Sequence, residues 1–257
     1  MIMTALRSIL FLLWFIVISL IIHLAALPAF LLPRRASLWV GTLWCRAVLF
    51  GLRRFAGMRL EVRGALPGNG ALIASKHMSM LDTIALYATL DQPHFVYRRS
   101  LERIPFFGWY LRKTGMVAID RDGGATSLRK MAAAVRARTA SGHTVVIFPE
   151  GTRKSPGAPG DYKPGVAGLY GQVNEPLVPV ALNTGLFWTG PMGLIKRKGT
   201  VIVEFLAPIA PGMKRRPFME LLQQRIETAT AALVAEGQKE LGHGKESELV
   251  RRKTAKE

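Results

Sequence analysis

A single cysteine, Cys45, is all the thiol this 257-residue chain carries. That excludes an intrachain disulfide and any zinc site built on cysteine. Acidic residues are scarce as well: 17 Asp and Glu stand against 35 Lys and Arg, a formal net charge of +18. So few carboxylates point to an anionic partner, whether nucleic acid, a membrane face or phosphorylated substrates. Several signatures are missing altogether. The chain has no zinc-finger spacing, no aromatic–basic RNA motif and no basic helix with heptads, and it lacks the G-x-S-x-G elbow of an α/β-hydrolase. The basic clusters Arg98-Arg99, Arg112-Lys113, Lys196-Arg197-Lys198 and Lys214-Arg215-Arg216 lie scattered between apolar segments. A membrane surface explains that scatter more economically than nucleic acid, so no nucleic-acid partner is expected.

Long apolar runs are what the chain has instead. From Ile9 to Leu27, ILFLLWFIVISLIIHLAAL, only Ser19 and His23 are polar, and about 20 apolar residues suffice to cross a hydrocarbon core. Pro28 and Pro33 interrupt the pattern before a second stretch, Leu38 to Leu52, which contains Arg46. Two arrangements fit. One is a single span; the other is a pair of helices that enters one leaflet and returns, with Trp14, Trp39 and Trp44 near the interface. The second stretch is too short and too polar to span comfortably, which favours an embedded hairpin or one span followed by an interfacial helix. A cleaved signal peptide is the competing reading, but the run is longer than the usual h-region and the prolines sit badly for cleavage. Only Arg7 precedes the run, whereas Arg34, Arg35, Arg46, Arg53, Arg54 and Arg59 follow it. The positive-inside rule then places the rest of the chain on the cytoplasmic face, where the arginines suit anionic lipid.

Beyond Gly57 short apolar runs alternate with helical patterns. Strands are expected at Leu60–Val62, Ala71–Ser75, His94–Tyr97, Met116–Ile119, His143–Phe148, Leu177–Ala181 and Val201–Phe205. Helices are expected at Leu81–Leu90, Phe106–Lys113, Thr126–Ala140, Val166–Val173 and Phe218–Glu236. The expected fold is α/β, a central, mostly parallel sheet flanked by helices, with an N-terminal membrane-embedded helical segment. Three regions follow: anchoring helices over 1–56, an α/β domain over 57–236, and a charged, frayed tail over 237–257.

Three stretches carry chemistry. In Ser75–Thr83, SKHMSMLDT, His77 and Asp82 follow a buried strand. On one continuous helix they would diverge by about 140°, so they meet only if His77 sits in the preceding loop and Asp82 in the first turn, with Ser75 or Ser79 as cap. Asp82 would then accept the Nδ1 proton and leave Nε2 free as a base. A loop histidine beside an aspartate that serves the helix dipole is the bland alternative. In Phe148–Gly160, FPEGTRKSPGAPG, Glu150, Gly151, Thr152 and Arg153 also follow a strand, where sheets present residues to ligands. Gly151 permits close backbone approach, and Arg153 offers a fork that matches phosphate; a surface turn with a Glu–Arg contact fits as well. Arg99 and Arg121 stand at two further strand ends. Together these positions would form one cationic pocket with one base.

The set resembles the glycerolipid acyltransferases, in particular the 1-acylglycerol-3-phosphate acyltransferases. Their NHxSxxD motif matches Lys76 to Asp82, with Lys76 in place of Asn; G-x-x-apolar-I-D-R matches Gly115 to Arg121; FPEGTR matches Phe148 to Arg153; and apolar-Pro-apolar matches Val178-Pro179-Val180. The likeness spans roughly Leu60 to Leu206. It implies acyl transfer from a thioester, acyl-CoA or acyl carrier protein, to the free hydroxyl of a lysophospholipid at a bilayer. His77 would be the base and Asp82 its orienter. Ser79 is not needed as a nucleophile, because the acceptor hydroxyl attacks directly. Arg99 or an amide near Gly151 would stabilise the oxyanion, Arg121 and Arg153 the acceptor phosphate, Glu150 its glycerol region, and Val178 to Val180 the acyl passage. No cofactor and no metal is implied. Another lysolipid acceptor such as lyso-ornithine lipid, and a non-enzymatic basic membrane-surface protein, are the alternatives. Lys76 leaves the contacts of the family's Asn unassigned.

Overall fold

A computed structural model describes residues 2–120, 123–189 and 193–254, with side chains to residue 242. The chain opens with α1 (Ile2–Ala25), a 3-10 turn (Leu27–Phe30), α2 (Arg34–Gly51) and a π turn (Leu52–Ala56). The sheet and its crossovers follow as β1 (Met58–Arg63), β2 (Leu72–Ser75), α3 (Met80–Thr89), β3 (His94–Arg98), a 3-10 turn (Arg99–Arg103), α4 (Phe107–Thr114) and β4 (Val117–Ile119). Then come α5 (Gly124–Ala140), β5 (Val145–Ile147), α6 (Gly165–Tyr170), β6 (Leu177–Leu182), α7 (Thr184–Phe187), β7 (Trp188–Thr189), β8 (Ile195–Lys196), β9 (Gly199–Phe205) and α8 (Arg215–Thr254).

The main sheet runs β1-β9-β6-β2-β5-β3-β4. β1 is parallel to β9, and β6, β2, β5, β3 and β4 are mutually parallel; β6 and β9 meet antiparallel. The central strands read as unbroken apolar runs because helices cover both faces: every residue of β2, β5 and β6 is buried. Ala74 pairs with Ile147, so β2 and β5 end level with each other and release their next residues side by side.

The N-terminal helices are part of this body. Phe11, Leu38, Cys45, Val48 and Leu52 share one core with Ile73, Leu81, Val146 and Val178. Trp14 Nε1 donates to Ala47 O at 3.1 Å and Trp44 Nε1 to Ser19 Oγ at 3.0 Å, joining α1 to α2. A side chain at Gly41 would collide with the hydroxyls of Tyr110 and Tyr87, so glycine lets α2 lie against α3 and α4. The expected boundary near 56 is therefore a change of composition and not of packing. α1 is long and apolar enough to cross a membrane, and Leu13, Leu20 and Leu24 on its outer side are more than half exposed.

The expected break at 237 is also corrected. α8 runs through it without interruption, because Gly237 sits close against Leu186 and Glu240 accepts Thr200 N at 2.8 Å. The α7 and β7–β8 segment had no counterpart in the sequence expectations. It seats α1: Phe11 meets Trp188 edge-on at 5.6 Å, and Lys196 N donates to Ser8 Oγ at 2.9 Å. Lys196 Nζ lies 4.0 Å over the Trp188 ring, and burial pulls its pKa down to about 8.

Candidate active site

The site starts as a helix cap. Ser79 has extended backbone and accepts the Leu81 N–H at 3.1 Å, while Asp82 accepts the Ser79 N–H at 2.9 Å, a reciprocal capping box. Asp82 is wholly buried. A buried carboxylate is tolerable only with donors around it, and Asp82 has five. Oδ2 takes Met78 N (2.6 Å), Ser79 N and His77 Nδ1 (2.8 Å); Oδ1 takes Ser79 Oγ (3.1 Å) and Thr184 Oγ1. His77 thus lies in the loop before α3, the arrangement needed for the two side chains to meet. Its Nδ1 is committed to Asp82, and its Nε2 has no protein partner among the described residues. Ser79 Oγ is engaged in the cap.

The FPEGTR loop grips His77 from three sides. The Phe148 ring stacks on the imidazole at 4.0 Å and 19°. Glu150 Oε2 accepts the His77 N–H at 3.0 Å, and Lys154 N donates to the His77 carbonyl at 2.9 Å. Gly151 has φ +65 and donates its N–H to Phe148 O at 2.9 Å, so glycine makes the tight turn possible.

Glu150 turns inward. It is 1 % exposed, and its other oxygen accepts Lys76 Nζ at 2.8 Å. Lys76, also 1 % exposed, donates to both oxygens of Glu227 as well, at 2.8 and 3.0 Å, and Glu227 accepts the Tyr162 hydroxyl at 2.9 Å. Burial raises the Glu150 pKa, Lys76 and the His77 amide oppose the rise, and Glu227 adds to it. An internal ion pair stands where the glycerol contact was expected: both oxygens of Glu150 accept from within the protein, and the side chain is closed off from solvent.

The remaining expectations divide. Arg99, Thr152 and Arg153 are exposed at the end of the sheet where β3 and β5 finish. Neither arginine has an ion-pair partner among the described residues. Arg121 lies outside the described residues. Val178 and Val180 are 4 % and 0 % exposed within β6, and Val180 O accepts the Lys76 N–H at 3.0 Å. Val178, Pro179 and Val180 therefore pack the core and support the Lys76 loop rather than standing at the sheet end that carries His77. A cavity of about 330 Å³ touches Val178 at the opposite end of the sheet, beside Leu66 and Pro176.

Thr184, Glu227 and Tyr162 were absent from the sequence reading. One signal pointed toward them: a lysine directly after a buried strand requires a carboxylate, but nothing in the order of residues says that the carboxylate is 151 positions away.

Comparison with known proteins adds to this geometry. A family model described as acyltransferase matches residues 59–183. The chain is 35 % identical over 210 residues to a 1-acyl-sn-glycerol-3-phosphate acyltransferase of Pseudomonas aeruginosa, covering 80 % of this chain and 81 % of that protein. A Helicobacter pylori protein of the same description is 29 % identical over 66 % of this chain and 73 % of its own. Lyso-ornithine lipid O-acyltransferase of Rhodobacter capsulatus is 33 % identical over 37 % of this chain and 34 % of its own. The crystal structure of the LPA acyltransferase PlsC from Thermotoga maritima superposes with a TM-score of 0.68 at 20 % identity, covering 88 % of this chain and 97 % of that one.

Proposed function

The chain belongs to the acyltransferase family, and on that premise we propose that it acylates 1-acylglycerol-3-phosphate to give phosphatidic acid at a membrane. The observation that carries the reading is the His77–Asp82 pair at 2.8 Å, with Nε2 unpartnered among the described residues. Asp82 holds the proton on Nδ1. Nε2 removes the proton of the acceptor hydroxyl as that oxygen attacks the thioester carbonyl carbon. The tetrahedral intermediate collapses with cleavage of the C–S bond, and the imidazolium returns the proton to the departing thiolate. Neither metal nor cofactor enters these steps.

Arg99 is the proposed cation for the oxyanion, because the Gly151 amide is already bonded to Phe148 O. Arg153, with Arg121, holds the acceptor phosphate through its guanidinium fork, and Thr152 adds a hydroxyl at the same rim. Acyl-CoA and acyl carrier protein both present phosphate to this basic surface. α1 lies in the leaflet that holds acceptor and product, with the catalytic body on the cytoplasmic face, as the arginines that follow α1 favour.

The test uses detergent-purified full chain with labelled oleoyl-CoA and lysophosphatidate. Wild type should form phosphatidic acid and His77→Ala almost none; equal rates would sink the assignment. The partial likeness to the Rhodobacter capsulatus protein supports a second reading, in which Arg99 and Arg153 take a carboxylate headgroup. Faster acylation of lyso-ornithine lipid in the same assay would select it.

A further inference from the structure

Two carboxylates meet at the buried Lys76 ammonium, and a tyrosine hydroxyl binds one of them. Lys76 directly follows β2, Glu150 stands in the turn after β5, Glu227 belongs to α8, and Tyr162 closes the loop that begins at Pro149, where Lys163 N donates to Pro149 O at 2.8 Å. Glu150 divides its two oxygens, Oε1 to Lys76 and Oε2 to the His77 N–H. The carboxylate cannot rotate toward one partner without leaving the other. Resting on the acyltransferase reading above, we propose that Lys76 and Glu227 are positioning residues: the chain Glu227–Lys76–Glu150–His77 N–H sets the reach of Nε2 toward the acceptor hydroxyl from α8.

Stability alone is a weak reason for this arrangement. Replacing a buried ion pair by apolar side chains of similar volume is often neutral or stabilising, so the network contributes geometry more than cohesion. The other anchors of His77, namely Asp82, Phe148 and Lys154, come from the first turn of α3 and from the loop that carries FPEGTR. The Lys76 route reaches the C-terminal helix through side chains alone, whereas the Asp82 side reaches it through Thr184 and its chain neighbour Asn183, whose Nδ2 donates to Leu233 O at 3.5 Å. The fully buried part, Lys76 with Glu150, has side-chain exposures of 1 % and 0 %, while Glu227 is 28 % exposed. Two carboxylates face one ammonium, so removing Lys76 leaves Glu150 and Glu227 opposed. Relieving that opposition should restore part of what is lost.

Glu227→Gln and Lys76→Asn, alone and combined, test this in the full chain in detergent. Glu227→Gln is expected to lower kcat roughly tenfold and Lys76→Asn about a hundredfold, with KM for lysophosphatidate unchanged. The double variant should be faster than Lys76→Asn, because one of the two opposed negative charges has gone. Amide hydrogen exchange supplies a readout that does not depend on turnover. Glu227→Gln should speed exchange in the peptide holding His77 and leave β9 unchanged. Wild-type kcat in both single variants, losses confined to KM, or effects that simply multiply would each overturn the proposal. If Lys76→Asn fails to fold, Glu227→Gln still decides, since its side chain is partly exposed and its shape is kept. If wild type ignores lysophosphatidate, the substrate reading falls by itself, and unchanged exchange at His77 in Glu227→Gln would then overturn the positioning role separately.

Discussion

Lys76 and His77 are neighbours in the chain and opposites in the fold. Lys76 is closed, with its ammonium facing two carboxylates inside the protein. His77 is half closed, with one ring nitrogen bound to Asp82 and the other without a partner among the described residues. The difference separates two uses of charge. A group whose bonding capacity is filled holds backbone in place; a group with capacity to spare can exchange a proton with a substrate. Substitutions at the two positions should therefore fail in different ways.

The largest effect is expected at the open position. His77→Ala should lower kcat by about a thousandfold or more while unfolding free energy changes by less than about 1 kcal/mol; acylation kinetics and thermal melts check both. At the closed position the loss in kcat should come with a loss of stability. Lys76→Met leaves the buried Glu150 and the partly exposed Glu227 without their cation, and breaking a buried pair costs about 3–5 kcal/mol, readable as a lower midpoint in denaturant. A stable Lys76→Met protein would erase the contrast.

Thr184→Val sharpens it on a smaller scale. It removes the hydroxyl that donates to Asp82 Oδ1, for about 1–2 kcal/mol of stability and a kcat loss of only a few-fold, since the oxygen facing His77 keeps its donors.

The smallest effect concerns a histidine that is all structure. His94 is buried, accepts Arg34 Nη2 at 2.8 Å, and has its pKa pushed down to about 3 by burial, Arg34 and His143. Its folded pKa lies below the unfolded value near 6.5. The folded state thus binds the proton less readily, and stability present above that pH is lost as pH falls toward about 3. Wild-type melting temperature should drop between roughly pH 6.5 and 4, His94→Gln should flatten that slope, and kcat at neutral pH should stay the same.

Most strands and helices were legible because their cause is local. An apolar run such as Val145–Ile147 can only be a covered strand here, and helical spacing marks α5. Ends fixed by distant contacts were not legible. α8 continues past 237 because Glu240 meets Thr200 and Gly237 meets Leu186, and neither contact leaves a trace in the spacing of α8 itself. The site shows the same division. The His77–Asp82 geometry is a capping box written within eight residues, Ser75 to Asp82. The role of Glu150 was misread because FPEGTR says where the carboxylate stands but not which way it points.

By itself, the order of residues determined an apolar first helix, an α/β body, and a histidine and aspartate spaced to meet at a helix start. Each of these depends on chain neighbours and on periodicity. Tertiary structure alone decided that α1 and α2 belong to the core, that Val178 and Val180 are packing, and that Lys76 is neutralised by Glu150 and Glu227. A buried charge fixes that a partner must exist, but only the packing of remote segments chooses which carboxylate it is.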